Sequence, residues 1–110
     1  MMIRLAENIK VAGKDYKVVF PYYFKEKTDY CGQVDYDLLE IRISNIDSGG
    51  CIRKDEVILN IFLHELTHII DREYCMNKIG KEEDKENLIE GLAIGLTQIF
   101  SDNSALWVIE

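Results

Sequence analysis

The spacing of apolar residues changes half-way along the chain. Up to about residue 50 they come in short alternating runs, and beyond it they recur three and four apart. Residues 9–12 and 16–20 flank Gly13-Lys14-Asp15 and predict a β-hairpin. Pro21 ends the second strand because it has no N–H to donate. Residues 22–29 fit either a short helix or a loop. A short extended run over 32–36 is followed by a strand over 39–44. There Leu39, Ile41 and Ile43 alternate with Glu40, Arg42 and Ser44, the period of a half-buried strand. Residues 45–50, centred on Asp47-Ser48-Gly49-Gly50, form a turn cluster.

Two helices follow. The first spans residues 55–74. Val57, Ile58, Ile61, Phe62, Leu63, Leu66, Ile69 and Ile70 make it apolar around most of its circumference, so it is expected to be buried on several sides. The second spans 82–100, with Leu88, Ile89, Leu92, Leu96 and Ile99 as its apolar stripe. Glu82, Glu83 and Asp84 open it, where the helix dipole favours negative charge. Residues 101–110 end in Trp107-Val108-Ile109, expected to pack back on the body. The pattern predicts a single α+β domain over residues 1–110.

Composition narrows the function. The 110 residues are 47% hydrophobic, enough for one core, and sum to a net charge of −7. An acidic chain is a poor match for nucleic acid or an anionic membrane, since phosphate binding relies on clustered Lys and Arg. No apolar run reaches membrane-spanning length, and the first residues do not read as a signal peptide. A cytoplasmic protein is therefore expected. Cys31, Cys51 and Cys75 are odd in number and widely spaced, which predicts reduced packing residues rather than a disulfide set.

The first helix carries His64-Glu65-Leu66-Thr67-His68, a His-Glu-x-x-His motif. Four residues advance a helix by about 6 Å and about 400°, so both imidazoles leave one face a turn apart and can share one zinc ion. Glu65 lies about 100° round from His64, near such a metal without ligating it, and can accept a proton from water there. These are the only two histidines in the chain. Burying two imidazoles and a carboxylate unpaired on an apolar helix would be costly, and a cation removes that cost.

A third ligand must then be Asp, Glu or Cys. The metzincin pattern puts it six residues after the second His, where this chain has Tyr74, and wants Gly where it has Asp71. That class is excluded. Glu90, among Leu88, Ile89, Gly91, Leu92 and Ala93, is the expected third ligand, and Glu86 in the charged first turn is the alternative. Asp71, three residues past His68 on the same face, could orient that imidazole, or equally cap, pair with the neighbours of Arg72 or face solvent. Cys75 is too far along the helix to share the metal.

His64-Glu65-Leu66-Thr67-His68 with Glu90 on a second helix, 22 residues after His68, resembles the gluzincin zinc peptidases. Thermolysin-like enzymes carry the same motif and a ligand Glu followed three residues on by a small residue, as Ala93 follows Glu90. The overall size is similar to the ImmA/IrrE group and phage-encoded minimal zincins. In those a strand written Gly-x-Tyr/Val-Asp…Ile-x-Ile precedes the active helix, similar to Gly32-Gln33-Val34-Asp35 and Ile41-Arg42-Ile43 here. The resemblance implies a minimal zincin-like α+β domain, a small mainly antiparallel sheet packed on an active-site helix and a second C-terminal helix. It implies Zn2+ held by His64, His68 and Glu90, with Glu65 as general base and acid. It also implies a peptide or protein substrate, paired with a strand at 39–44 that lines the cleft. The chain lacks a further His to stabilise an oxyanion; Tyr30, Tyr36, Arg72 and Tyr74 are the possible substitutes. That lack, with the small size, motivates an alternative: a zincin fold that keeps zinc and binds a partner without cutting it.

Overall fold

The computed structural model describes residues 3–25 and 30–102. Strand β1 (Asn8–Val11) and strand β2 (Lys14–Val19) form the expected hairpin, with Val11 opposite Lys14. The turn is Ala12-Gly13, both at positive φ (51° and 78°), as a two-residue turn requires if its twist is to match the strands. Strand β3 (Gly32–Asp35) pairs antiparallel with strand β4 (Glu40–Ile43), and β4 also pairs parallel with β2. The order is β1-β2-β4-β3, a four-stranded mixed sheet in which two of the three ladders are antiparallel. Asp35 builds the β3–β4 turn: its Oδ1 accepts the N–H groups of Asp37 and Leu38 at 3.0 and 2.9 Å.

Helix α1 (Asp55–Tyr74) has the predicted bounds. It packs across β1, β3 and β4, and the core is the layer between. Ile58, Ile61 and Ile69 of α1 meet Val11, Tyr16, Val18, Ile41 and Ile43 of the sheet there. The alternation in β4 works as read, since Ile41 and Ile43 are fully buried. Its other face is polar: the Arg42 guanidinium reaches Asp35 at 3.1 Å, Glu40 at 3.0 Å and the Gln33 side chain at 3.1 Å.

Beyond α1, a 3-10 turn (Ile79–Lys81) leads into helix α2 (Lys85–Asp102), which starts three residues later than predicted. Asp71 closes this connection. Its buried carboxylate accepts the N–H of Ile79 at 3.0 Å through Oδ1 and that of Gly80 at 2.9 Å through Oδ2. Its carbonyl accepts the N–H groups of Cys75 and Asn77. The structure thus gives Asp71 the capping role.

The face that α2 buries keeps Ile89 of the predicted stripe, with Leu96 half-buried, and differs in the rest. Ile89, Ala93 and Thr97 are buried, while Leu88, Leu92 and Ile99 are about half exposed. The reason is the layering: α1 already covers the sheet, and α2 contacts α1 and the 3-10 turn but no strand. Its contact seam is narrow and partly polar. Residues 22–25 lie outside helix and strand, and residues 26–29 and the 103–110 tail fall outside the described residues. The three cysteines are free; Cys51 is exposed, while Cys31 and Cys75 are half-buried as expected. No helix among the described residues is long and apolar enough to cross a membrane.

Candidate metal centre

His64 and His68 sit one turn apart on the side of α1 that faces α2. Their rings pack edge to face with centroids 5.0 Å apart, which turns the two Nε2 atoms to within 3.3 Å of each other. Glu86, in the first turn of α2, straddles the pair. Its Oε2 lies 3.4 Å from His64 Nε2 and its Oε1 lies 3.5 Å from His68 Nε2.

Those spacings can be tested against a metal. Four ligands placed tetrahedrally at zinc distances of about 2.0–2.1 Å stand about 3.3–3.4 Å apart. The two Nε2 atoms stand at that edge length, a Glu86 oxygen approaches each of them at a similar distance, and one ligand atom from each of the three residues falls within 4.8 Å of the others. Two imidazoles and a carboxylate suit zinc. The donor set fits the ion.

Glu90, expected from the sequence as the third ligand, takes a different place. Its Oε2 lies 3.4 Å from Nδ1 of His64, on the far side of the ring from the Nε2 pair. Its Oε1 accepts a hydrogen bond from Asn60 Nδ2 at 3.0 Å. Glu86, the weaker sequence candidate, is the carboxylate brought to the Nε2 atoms. The two differ by one helical turn, and the axial position of α2 against α1 decides between them.

Glu65 lies against the sheet. Gly32 of β3 presses on it so closely that a Cβ there would stand 2.9 Å from Glu65 Cγ and 3.0 Å from Ile61 Cγ2. Burial pushes the Glu65 carboxyl up to about 7; the Glu86 and Glu90 carboxylates add to the rise and His64 opposes it. Burial also lowers the proton affinity of His68, which keeps a nitrogen lone pair available.

A cleft of about 550 Å³ opens over these groups, with His64, Glu65, His68 and Glu86 on one side and residues 30–34 and Tyr36 on the other. The wall strand is therefore β3, whereas the sequence reading favoured 39–44. β4 is hydrogen-bonded on both sides, to β2 and β3, and has no free edge. β3 is the sheet edge, and among the described residues no strand pairs with its outer side.

The four candidates for an oxyanion donor also separate. Tyr30 and Tyr36 line the cleft. The Tyr74 hydroxyl accepts the Ala12 N–H at 2.9 Å, tying α1 to the β1–β2 turn. Arg72 lies over the Tyr36 ring, 4.0 Å from its centroid. Burial raises the Tyr36 pKa, against the pull of Arg72, so its phenol stays a proton donor.

Sequence reasoning missed Asn60, which connects to both Glu90 and Thr97. The available signal was its place one turn before His64 in an otherwise apolar stretch. Comparison with protein-family models, curated proteins and solved structures returns no match, so the site's own geometry has to carry its function.

Proposed function

We propose that this protein is a zinc-dependent peptidase, with His64, His68 and Glu86 as metal ligands and Glu65 as general base. The observation that carries the reading is the close donor set, the two Nε2 atoms 3.3 Å apart with one Glu86 oxygen 3.4 Å from the first and the other 3.5 Å from the second, facing a cleft beside the edge strand β3. A zinc ion held there would supply Lewis acidity and draw the ionisation of water towards neutral pH.

The chain's own residues account for the remaining chemistry. A peptide laid along β3 in extended form would hydrogen-bond to its outer edge, which would bring a backbone carbonyl past the floor of the cleft. Glu65 takes a proton from the attacking water and returns it to the leaving amine. Its raised proton affinity suits both halves of that transfer. Tyr36, kept protonated by burial, donates to the carbonyl oxygen as negative charge develops on it. Glu90 orients the His64 ring instead of ligating metal.

The test is zinc stoichiometry by elemental analysis on the wild type, Glu86→Ala and Glu65→Gln, with a peptidase assay alongside. One zinc per chain is expected in the wild type and in Glu65→Gln, with Glu86→Ala losing it. Glu65→Gln should lose turnover by about 10²–10⁴-fold. Turnover that survives in Glu65→Gln would rule out this mechanism. Zinc without cleavage in the wild type would favour the partner-binding alternative.

A further inference from the structure

We infer that Asn60 and Thr97 are positioning residues for the metal centre, acting through Glu90 on the His64 ring. The inference rests on reading His64 as a metal ligand. Asn60, His64 and His68 stand at i, i+4 and i+8 on α1, and each meets a polar residue of α2. Asn60 meets Thr97 and Glu90, His64 meets Glu90 and Glu86, and His68 meets Glu86. The pairs run in opposite chain directions, so the helices are antiparallel along this seam. Buried Ala93 lies between Glu90 and Thr97 on α2 and leaves room for close approach.

Each bond in the chain has one permitted sense. A carboxylate accepts and cannot donate, so the amide nitrogen of Asn60 must face Glu90 and its oxygen must face Thr97. The Thr97 hydroxyl supplies that side: it lies 3.2 Å from Asn60 Oδ1 and 2.8 Å from the Ala93 carbonyl, one proton shared between two acceptors. At the other end, Glu90 Oε2 faces Nδ1 of His64 at 3.4 Å. A carboxylate there holds the ring's proton on Nδ1 and leaves the Nε2 lone pair to the metal side.

The same contacts set the axial register of α2. With Glu90 held at Asn60, Glu86 falls one turn nearer the start of α2, opposite His64 and His68. Asn60 thus fixes the His64 tautomer and ring orientation and also the position of the third ligand. A purely structural interhelix bond would stabilise the metal-free fold and leave zinc affinity alone.

The experiment is competition for Zn2+ against a chromogenic chelator, on the wild type, Asn60→Leu, Glu90→Ala, the double variant and Thr97→Val. The thermal midpoint of each metal-free protein is measured in parallel. Asn60→Leu and Glu90→Ala should each weaken zinc binding by about 10–100-fold with stoichiometry still one. The double variant should bind no more weakly than Glu90→Ala, since both substitutions interrupt one chain. Thr97→Val, close to isosteric, should give a smaller loss in the same direction, so the idea stays testable if Asn60→Leu folds poorly. Wild-type affinity in Asn60→Leu and Thr97→Val, or additive losses in the double variant, would overturn the positioning role while leaving the metal site intact. A wild type that takes up no zinc would overturn the site itself.

Discussion

Gly32 of β3 and Glu65 of α1 are in contact at a distance no other residue at position 32 would allow, a Cβ there falling 2.9 Å from Glu65 Cγ. The glycine is needed for space, not for backbone freedom. It lets the edge strand β3 pass close over Glu65, so that a peptide on β3 and the general base, both as proposed, would share one cleft.

Gly32→Ala should therefore move Glu65 or push β3 away from α1. A stability loss of about 1–3 kcal/mol is expected from overpacking. Zinc stoichiometry should hold while turnover falls, because the ligands lie on the α2 side of the helix. Urea denaturation, elemental analysis and a peptidase assay check the three parts, and an alanine variant with full turnover would contradict the placement of Glu65.

Tyr36→Phe removes the hydroxyl proposed to meet the developing oxyanion and keeps the ring under Arg72. Turnover should drop by about 10²-fold with zinc affinity unchanged. If Tyr36→Phe is fully active and Tyr30→Phe is not, the donor is the other tyrosine of the cleft.

Asp71→Ala strips the connection between the helices of its acceptor for Ile79 and Gly80. Leaving those N–H groups without it should cost about 1–3 kcal/mol, read as a lower denaturant midpoint. Retained stability would mean that the turn holds its shape without the carboxylate.

Asp35 gives the fold a defined acid response. The Leu38 N–H, helped by that of Asp37 and by Arg42, holds its carboxyl below the usual value of 3.8. A depressed folded-state pKa contributes stability that is present above the unfolded value and is lost as pH falls through the folded one. Wild type should therefore exceed Asp35→Asn in stability at neutral pH, with the gap closing below about pH 4. Urea midpoints for both proteins across that range test it, and a gap independent of pH would show that the ionised form contributes nothing.

The local elements were legible because each rests on short-range signals. The hairpin at 8–19, the alternation in β4 and the bounds of α1 follow from turn chemistry and periodicity within a few residues. The face of α2 was not legible. Leu88, Leu92 and Ile99 look like core by period, yet they are largely exposed, because α1 already occupies the sheet and α2 is left a narrow seam. Asn60 gave little sign of itself for a related reason, since a single polar residue on a helix acquires meaning only from what stands opposite.

Sequence alone put His64 and His68 on one face of a helix with Glu65 beside them, because helical geometry makes residues four apart neighbours whatever surrounds them. It left Glu86 and Glu90 as competing carboxylates, and local polarity favoured Glu90. Only the tertiary structure separated them. The Asn60–Glu90 contact and the Ile79–Lys81 turn hold α2 at one axial position against α1, and at that position Glu86 reaches both Nε2 atoms while Glu90 meets Nδ1. A shift of one helical turn, about 5.4 Å, would put Glu90 where Glu86 stands, and no periodicity within α2 encodes its position along another helix.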